Sequence, residues 1–232
     1  YFSLQFIIRF EIVTLFILTV CFIFSIFYLK INKKNSSILS LNAAYPNYGY
    51  IGIPLCILAF GENASIPISI ILLTDSIILL TFTSIFAEET KKKNIFFNFI
   101  QIIYKILKNP ILVSVLIGFL FILFDLKIHA IIYNFLSILS LAAPPAALFS
   151  MGIILWNKFD KDFIKPVFFI TIMKLIIHPL FISIIFIIFP SSVPTLWIKV
   201  AILCSSLPVA ANVFAMAGFY NTFIRETSNS IM

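Results

Sequence analysis

Apolar residues fill seven long blocks of this chain, at residues 4–29, 38–60, 66–87, 109–124, 131–156, 166–189 and 196–219, with short polar patches between them. About 20 apolar residues carry a helix across a hydrocarbon layer, so the pattern predicts seven transmembrane helices and no soluble domain. Two blocks are interrupted. The stretch NAAYPNYGYIGIPLCILAF (42–60) carries Asn42, Pro46, Asn47, Gly49, Gly52 and Pro54, and CSSLPVAANVFAMAGFYN (204–221) carries Pro208, Ala211 and Asn212. Proline lacks an N–H and crowds the preceding turn, while glycine tolerates unwound backbone. Both blocks are therefore expected to break near their prolines. Backbone groups freed by a break cannot face lipid, so each break must be buried in protein or line a watery cavity. For either block taken alone, a simple proline kink is the competing reading. Two interrupted spans in corresponding positions point instead to the binding site of a secondary transporter, where half-helix N-termini favour an anion.

Composition agrees with the block pattern. Of 232 residues, 62% are hydrophobic and 11% charged, which would leave far too much apolar surface on a soluble domain. Charge sets the orientation. If the first helix runs from outside to inside, twelve of the sixteen basic residues fall in inner loops, Arg9, Lys127 and Lys199 stay outside, and Lys174 lies within a block. That asymmetry follows the positive-inside rule. It also accounts for the net charge of +7 without a nucleic-acid partner, because the positive residues alternate with spans and form no single patch. The segment KKKNIFFNFIQIIYKILK (91–108) reads as an amphipathic helix on the membrane surface. The first block is too long for a signal peptide and no small-residue cleavage site follows it. The chain opens on Tyr1 and closes on SNSIM, where a further apolar run could begin, and is read as a fragment.

Enzyme chemistry finds no foothold. There is no H-E-x-x-H, no paired acidic motif and no His/Asp/Ser set. Cys21, Cys56 and Cys204 sit in apolar runs without metal-ligand spacing and are expected to be buried, inert thiols. No metal or other cofactor is expected.

Five motifs occur in order: PNYGYIGIPL, KNPILVSVLIGFL, LAAPPAALFSMGIIL, KLIIHP and LPVAANVFAMAGFYN. Together they resemble the auxin efflux carrier family, which includes plant PIN proteins and bacterial malonate or malate permeases. The resemblance covers nearly the whole chain. It implies an all-α polytopic inverted-repeat transporter of ten helices, with the fourth and ninth broken and crossing at the substrate site. The seven blocks then match helices three to nine. Residues 1–90 are the end of the first repeat (helices three to five), 91–108 the linker, 109–156 the scaffold helices six and seven, and 157–232 helices eight and nine, cut before the tenth. The implied activity is elevator-type carriage of small organic anions across the cell membrane by a homodimer, as a secondary active or potential-driven process. The short linker favours the bacterial type and dicarboxylates over auxin-like acids. A non-transporting membrane fragment or sensor subunit that keeps the fold is the alternative.

Carried over residue by residue, Asn47 falls on the polar position of the first crossover, Pro54 on its GIP proline and Pro208 on the LP that opens the second, where Asn212 follows. PIN proteins place a further proline where this chain has Val213. The amides of Asn47 and Asn212, with N–H groups freed near Pro54 and Pro208 and the glycines Gly49 and Gly52, would hold a substrate carboxylate. Charges inside a span cost roughly 2.5–3.5 kcal/mol each, so Lys174 and Asp75 need reasons. Lys174 matches a basic position of a K-x-x-x-P pattern and either favours an anionic substrate or makes a structural pair. Asp75 is either a proton carrier for ion coupling or an acid hydrogen-bonded by Thr74 or Ser76. For His178, packing or a hydrogen bond outweighs a ligand role.

Overall fold

The computed structural model describes residues 4–87, 110–155, 164–189 and 192–231. The described part is helical, with one isolated antiparallel bridge between Pro46 and Val209 as its only extended pairing. In chain order, helix α1 spans Leu4–Phe27, α2 Lys33–Ala44, α3 Ile53–Phe60, α4 Ser65–Ala87, α5 Pro110–Leu123 and α6 Ala130–Leu155. Next come α7 Ile164–Ile172, α8 His178–Ile188, α9 Thr195–Ser205, α10 Ala211–Phe219 and α11 Ile224–Ile231. Three helices among the described residues are long and apolar enough to cross a membrane: Leu4–Phe27, Glu62–Ala87 and Ile164–Ile188. The expected surface helix at 91–108 lies outside the described residues.

The interior face of a membrane helix is marked by its polar residues, because lipid is already as apolar as a core. Helix α1 shows this. Leu4, Ile8, Ile12, Phe16, Ile23 and Phe27 are exposed, whereas Glu11, Thr14 and Ser25 share the buried face with Phe6, Phe10, Ile17, Leu18 and Cys21. That face packs on α2, α4 and α8. In α4 the buried row contains Ile68, Ile71, Asp75, Leu79 and Ser84.

Local sequence chemistry sets the ends. Asn32 caps α2 by accepting from the N–H of Asn35 at 2.8 Å, satisfying a donor that the first turn leaves free. Gly61, at φ 83°, ends α3 in a backbone region that side chains avoid. The second block is broken as expected: α2 stops at Ala44, residues 45–47 are extended or irregular, and a π-helical turn at Tyr48–Gly52 leads into α3. The seventh is broken too, between α9 and α10. The sixth block holds a feature not anticipated from the sequence. A π-helical turn at Met173–Ile177 joins α7 to α8 directly ahead of His178 and Pro179. A proline in a helix cannot donate and crowds the preceding turn, and a widened turn accommodates it.

Candidate functional site

The two breaks pair with each other. The Asn47 N–H donates to the Pro208 carbonyl at 2.9 Å, and the Ala210 N–H donates to the Tyr45 carbonyl at 3.3 Å. Each extended peptide thus satisfies backbone groups that the other's proline left without a helical partner. Gly52 lies against this crossing so closely that a Cβ there would stand 2.8 Å from Leu207 Cδ1 and 3.0 Å from Ile68 Cδ1. Cys56 on α3 and Cys204 on α9 approach to 3.8 Å between sulfurs, so the half-helix after the first break packs on the half-helix before the second. All three cysteines are buried and reduced.

The candidate residues divide accordingly. Asn47 is buried at the crossing; its Oδ1 accepts from the Tyr50 N–H at 3.3 Å and so begins the π turn. Pro208 lines a cavity of about 110 Å³ with Lys174, Thr171, Val209 and Asn229, well above the roughly 10–15 Å³ that one water requires. Asn212 is exposed in the first turn of α10 and lies beside the Tyr45 hydroxyl. The Ala210 N-cap offers no side-chain acceptor to that turn. Gly49 and Pro54 stand apart. Both are exposed, and Gly49 has open space where a Cβ would go. The half-helix after the first break begins at Tyr48, so Pro54 lies inside it and frees no N–H at the break. The Gly52 N–H, two residues before Pro54, is already bonded to the Asn47 carbonyl at 2.9 Å.

Behind the crossing lies a polar cluster that the sequence announced only in part. The Tyr48 hydroxyl donates to Asp75 Oδ2, and Tyr45 and Ser76 share a hydroxyl bond of 2.7 Å. Asp75 is therefore held by the crossover tyrosine and not by its sequence neighbours: Thr74 turns back to the carbonyls of Ile70 and Ile71, and Ser76 goes to Tyr45. Glu11 lies beside Thr74 and Asp75 where α1 packs on α4, with neither carboxylate oxygen in a hydrogen bond among the described residues. It was not singled out in the sequence, although an acid inside the first apolar block carried the same signal as Asp75.

Lys174 is 1% exposed. Its Nζ is 2.9 Å from His178 Nδ1 and 3.4 Å from the Ser205 carbonyl, and His178 Nε2 is 3.2 Å from Thr14 Oγ1. The Thr14 hydroxyl already donates to the Phe10 carbonyl at 3.0 Å. It must accept from Nε2–H, which leaves Nδ1 to accept from Lys174. His178 is thus a hydrogen-bonded core residue that fixes Lys174. Among the described residues no three His, Cys, Asp or Glu side chains gather as metal ligands.

Comparison with known proteins bears on this geometry. Residues 2–232 match the family described as "Membrane transport protein". A protein of Rhizobium meliloti (strain 1021) named "Putative malonate transporter" is 27% identical over 191 residues, 82% of this chain. The chain spans 59% of that relative's length. With the match running over nearly all its residues, this chain belongs to the membrane transport protein family, that of the auxin efflux carriers.

Proposed function

We propose that this chain carries small organic anions, dicarboxylates such as malonate among them, through the crossing of its two broken spans. The observation that carries the reading is the backbone pairing of Tyr45 and Asn47 with Pro208 and Ala210. It sets an amide side chain, Asn47, beside the uncapped first turn of α10, where Asn212 stands. Free N–H groups at a helix start and neutral amides hold a carboxylate without a fixed opposing charge, so the ligand can also leave. Lys174, on the cavity it shares with Pro208, adds positive potential from behind. Pro54 and Gly49 contribute to the shape of the half-helix and not to the pocket. The inverted-repeat arrangement, the seven spans, the elevator movement, the homodimer and the multi-pass setting in a cell membrane belong to the same proposal. It draws support from the family match and from the relative's name.

The test is uptake of labelled mono- and dicarboxylates into proteoliposomes with ion gradients varied one at a time. Saturable uptake of malonate, with its affinity weakened in Asn47→Ala, supports the carrier. No uptake of any carboxylate by a version extended to the relative's full length overturns it.

A further inference from the structure

Three buried carboxylate oxygens are without a hydrogen-bond partner among the described residues: Glu11 Oε1, Glu11 Oε2 and Asp75 Oδ1. They belong to two acids that face each other, 5% and 0% exposed. Orphaned oxygens on buried, paired acids are costly unless a proton or another cation lies between them.

The groups around the pair fix how much charge is missing. Among the described residues, Lys174 is the cation set against Asp75. Tyr48 and Tyr45 bring hydroxyls, and Cys204 on α9 brings a thiol. His178 is neutral by its bonding, with Nδ1 accepting and Nε2 donating. Two ionised acids against one lysine leave a single uncompensated negative charge on buried side chains. One proton removes it, and it also turns one carboxyl into a donor to an orphaned oxygen of the other.

We propose that Glu11 and Asp75 share one exchangeable proton and that this proton travels with the anion. The inference rests on the carrier reading for its second half only. The link to the substrate is Tyr48. It bonds Asp75 through its hydroxyl and directly follows Asn47 at the crossing. An anion beside Asn47 is repelled by the pair when the proton has left and is not when the proton is held, so each favours the other's binding reciprocally. On release, the proton passes from the carboxyl to water on the side to which the site opens.

Two measurements on the protein in liposomes test this. Infrared difference spectra, taken while the pH is stepped without substrate, should show a carboxylic C=O band that titrates. Because the proton is shared, either Glu11→Gln or Asp75→Asn should abolish that band while the helical amide bands persist. A band that survives in one of the two variants, no titrating band, or a band removed by sodium at constant pH overturns the shared proton. In the second measurement, malonate uptake is followed at constant outside pH and zero membrane potential while the inside pH is raised. One proton per anion gives about tenfold more accumulation per pH unit, and both variants should lose that dependence. Accumulation indifferent to inside pH in the wild type overturns the coupling. If the wild type takes up no malonate at all, that transport reading falls, and the infrared result still decides the acid pair.

Discussion

The N–H of Asn47 donates to the carbonyl of Pro208, 161 positions later in the chain, at 2.9 Å. That bond and its partner between Ala210 and Tyr45 hold two interrupted membrane spans together at their breaks. Because both use backbone atoms, the pairing itself does not depend on which side chains stand there.

Asn47→Ala should therefore leave the fold nearly intact, losing only the cap to Tyr50, a contribution of about 1 kcal/mol. Its effect on malonate should be larger. A hydrogen bond to a charged group contributes about 1.5–3 kcal/mol, so uptake affinity should fall about 10- to 100-fold. Unchanged affinity in a concentration series would remove Asn47 from the site.

The two glycines of the π turn should respond in opposite ways. Gly52→Ala places a methyl 2.8 Å from Leu207 Cδ1 and 3.0 Å from Ile68 Cδ1, an overpacking that costs about 1–3 kcal/mol. Gly49→Ala meets nothing within 4 Å and should unfold like the wild type. Thermal unfolding in detergent separates the two, and equal midpoints would contradict the tight contact.

Thr14→Val tests the chain that fixes Lys174. The substitution preserves shape but leaves His178 Nε2–H without the acceptor it has at 3.2 Å. A buried donor left unpaired costs about 1–3 kcal/mol. The unfolding midpoint should drop, and Thr14→Ser, which restores the hydroxyl, should recover most of it.

Cys56 and Cys204 offer a check on the packing of the half-helices. Their sulfurs are 3.8 Å apart, and a disulfide needs about 2.05 Å, so a small closing movement suffices. Copper-phenanthroline should link these two and leave Cys21 as a free thiol in peptide mass spectra. A Cys21 adduct without the Cys56–Cys204 link would contradict the arrangement.

The sequence by itself determined the solvent, the helical class and the two places where helices fail. Runs of apolar residues leave only internally bonded helices open to the chain, and the breaks fall at Pro46 and Pro208, each followed by small and amide residues, whereas Pro144 and Pro145 stand inside the unbroken α6. The family, too, was legible in the order of five motifs. Tertiary structure decided which residues meet. Nothing in local spacing says that Tyr48, not Thr74 or Ser76, bonds Asp75, because side-chain hydroxyls in a helix can equally turn back to their own carbonyls, as Thr74 does. Nor could spacing pair Glu11 with Asp75, Thr14 with His178, or Cys56 with Cys204, partners 64, 164 and 148 positions apart. Those contacts follow from the packing of α1, α4, α8 and α9 around the crossing. In a helix that is apolar on every side, the face that turns inward is chosen by the partners its few polar groups find.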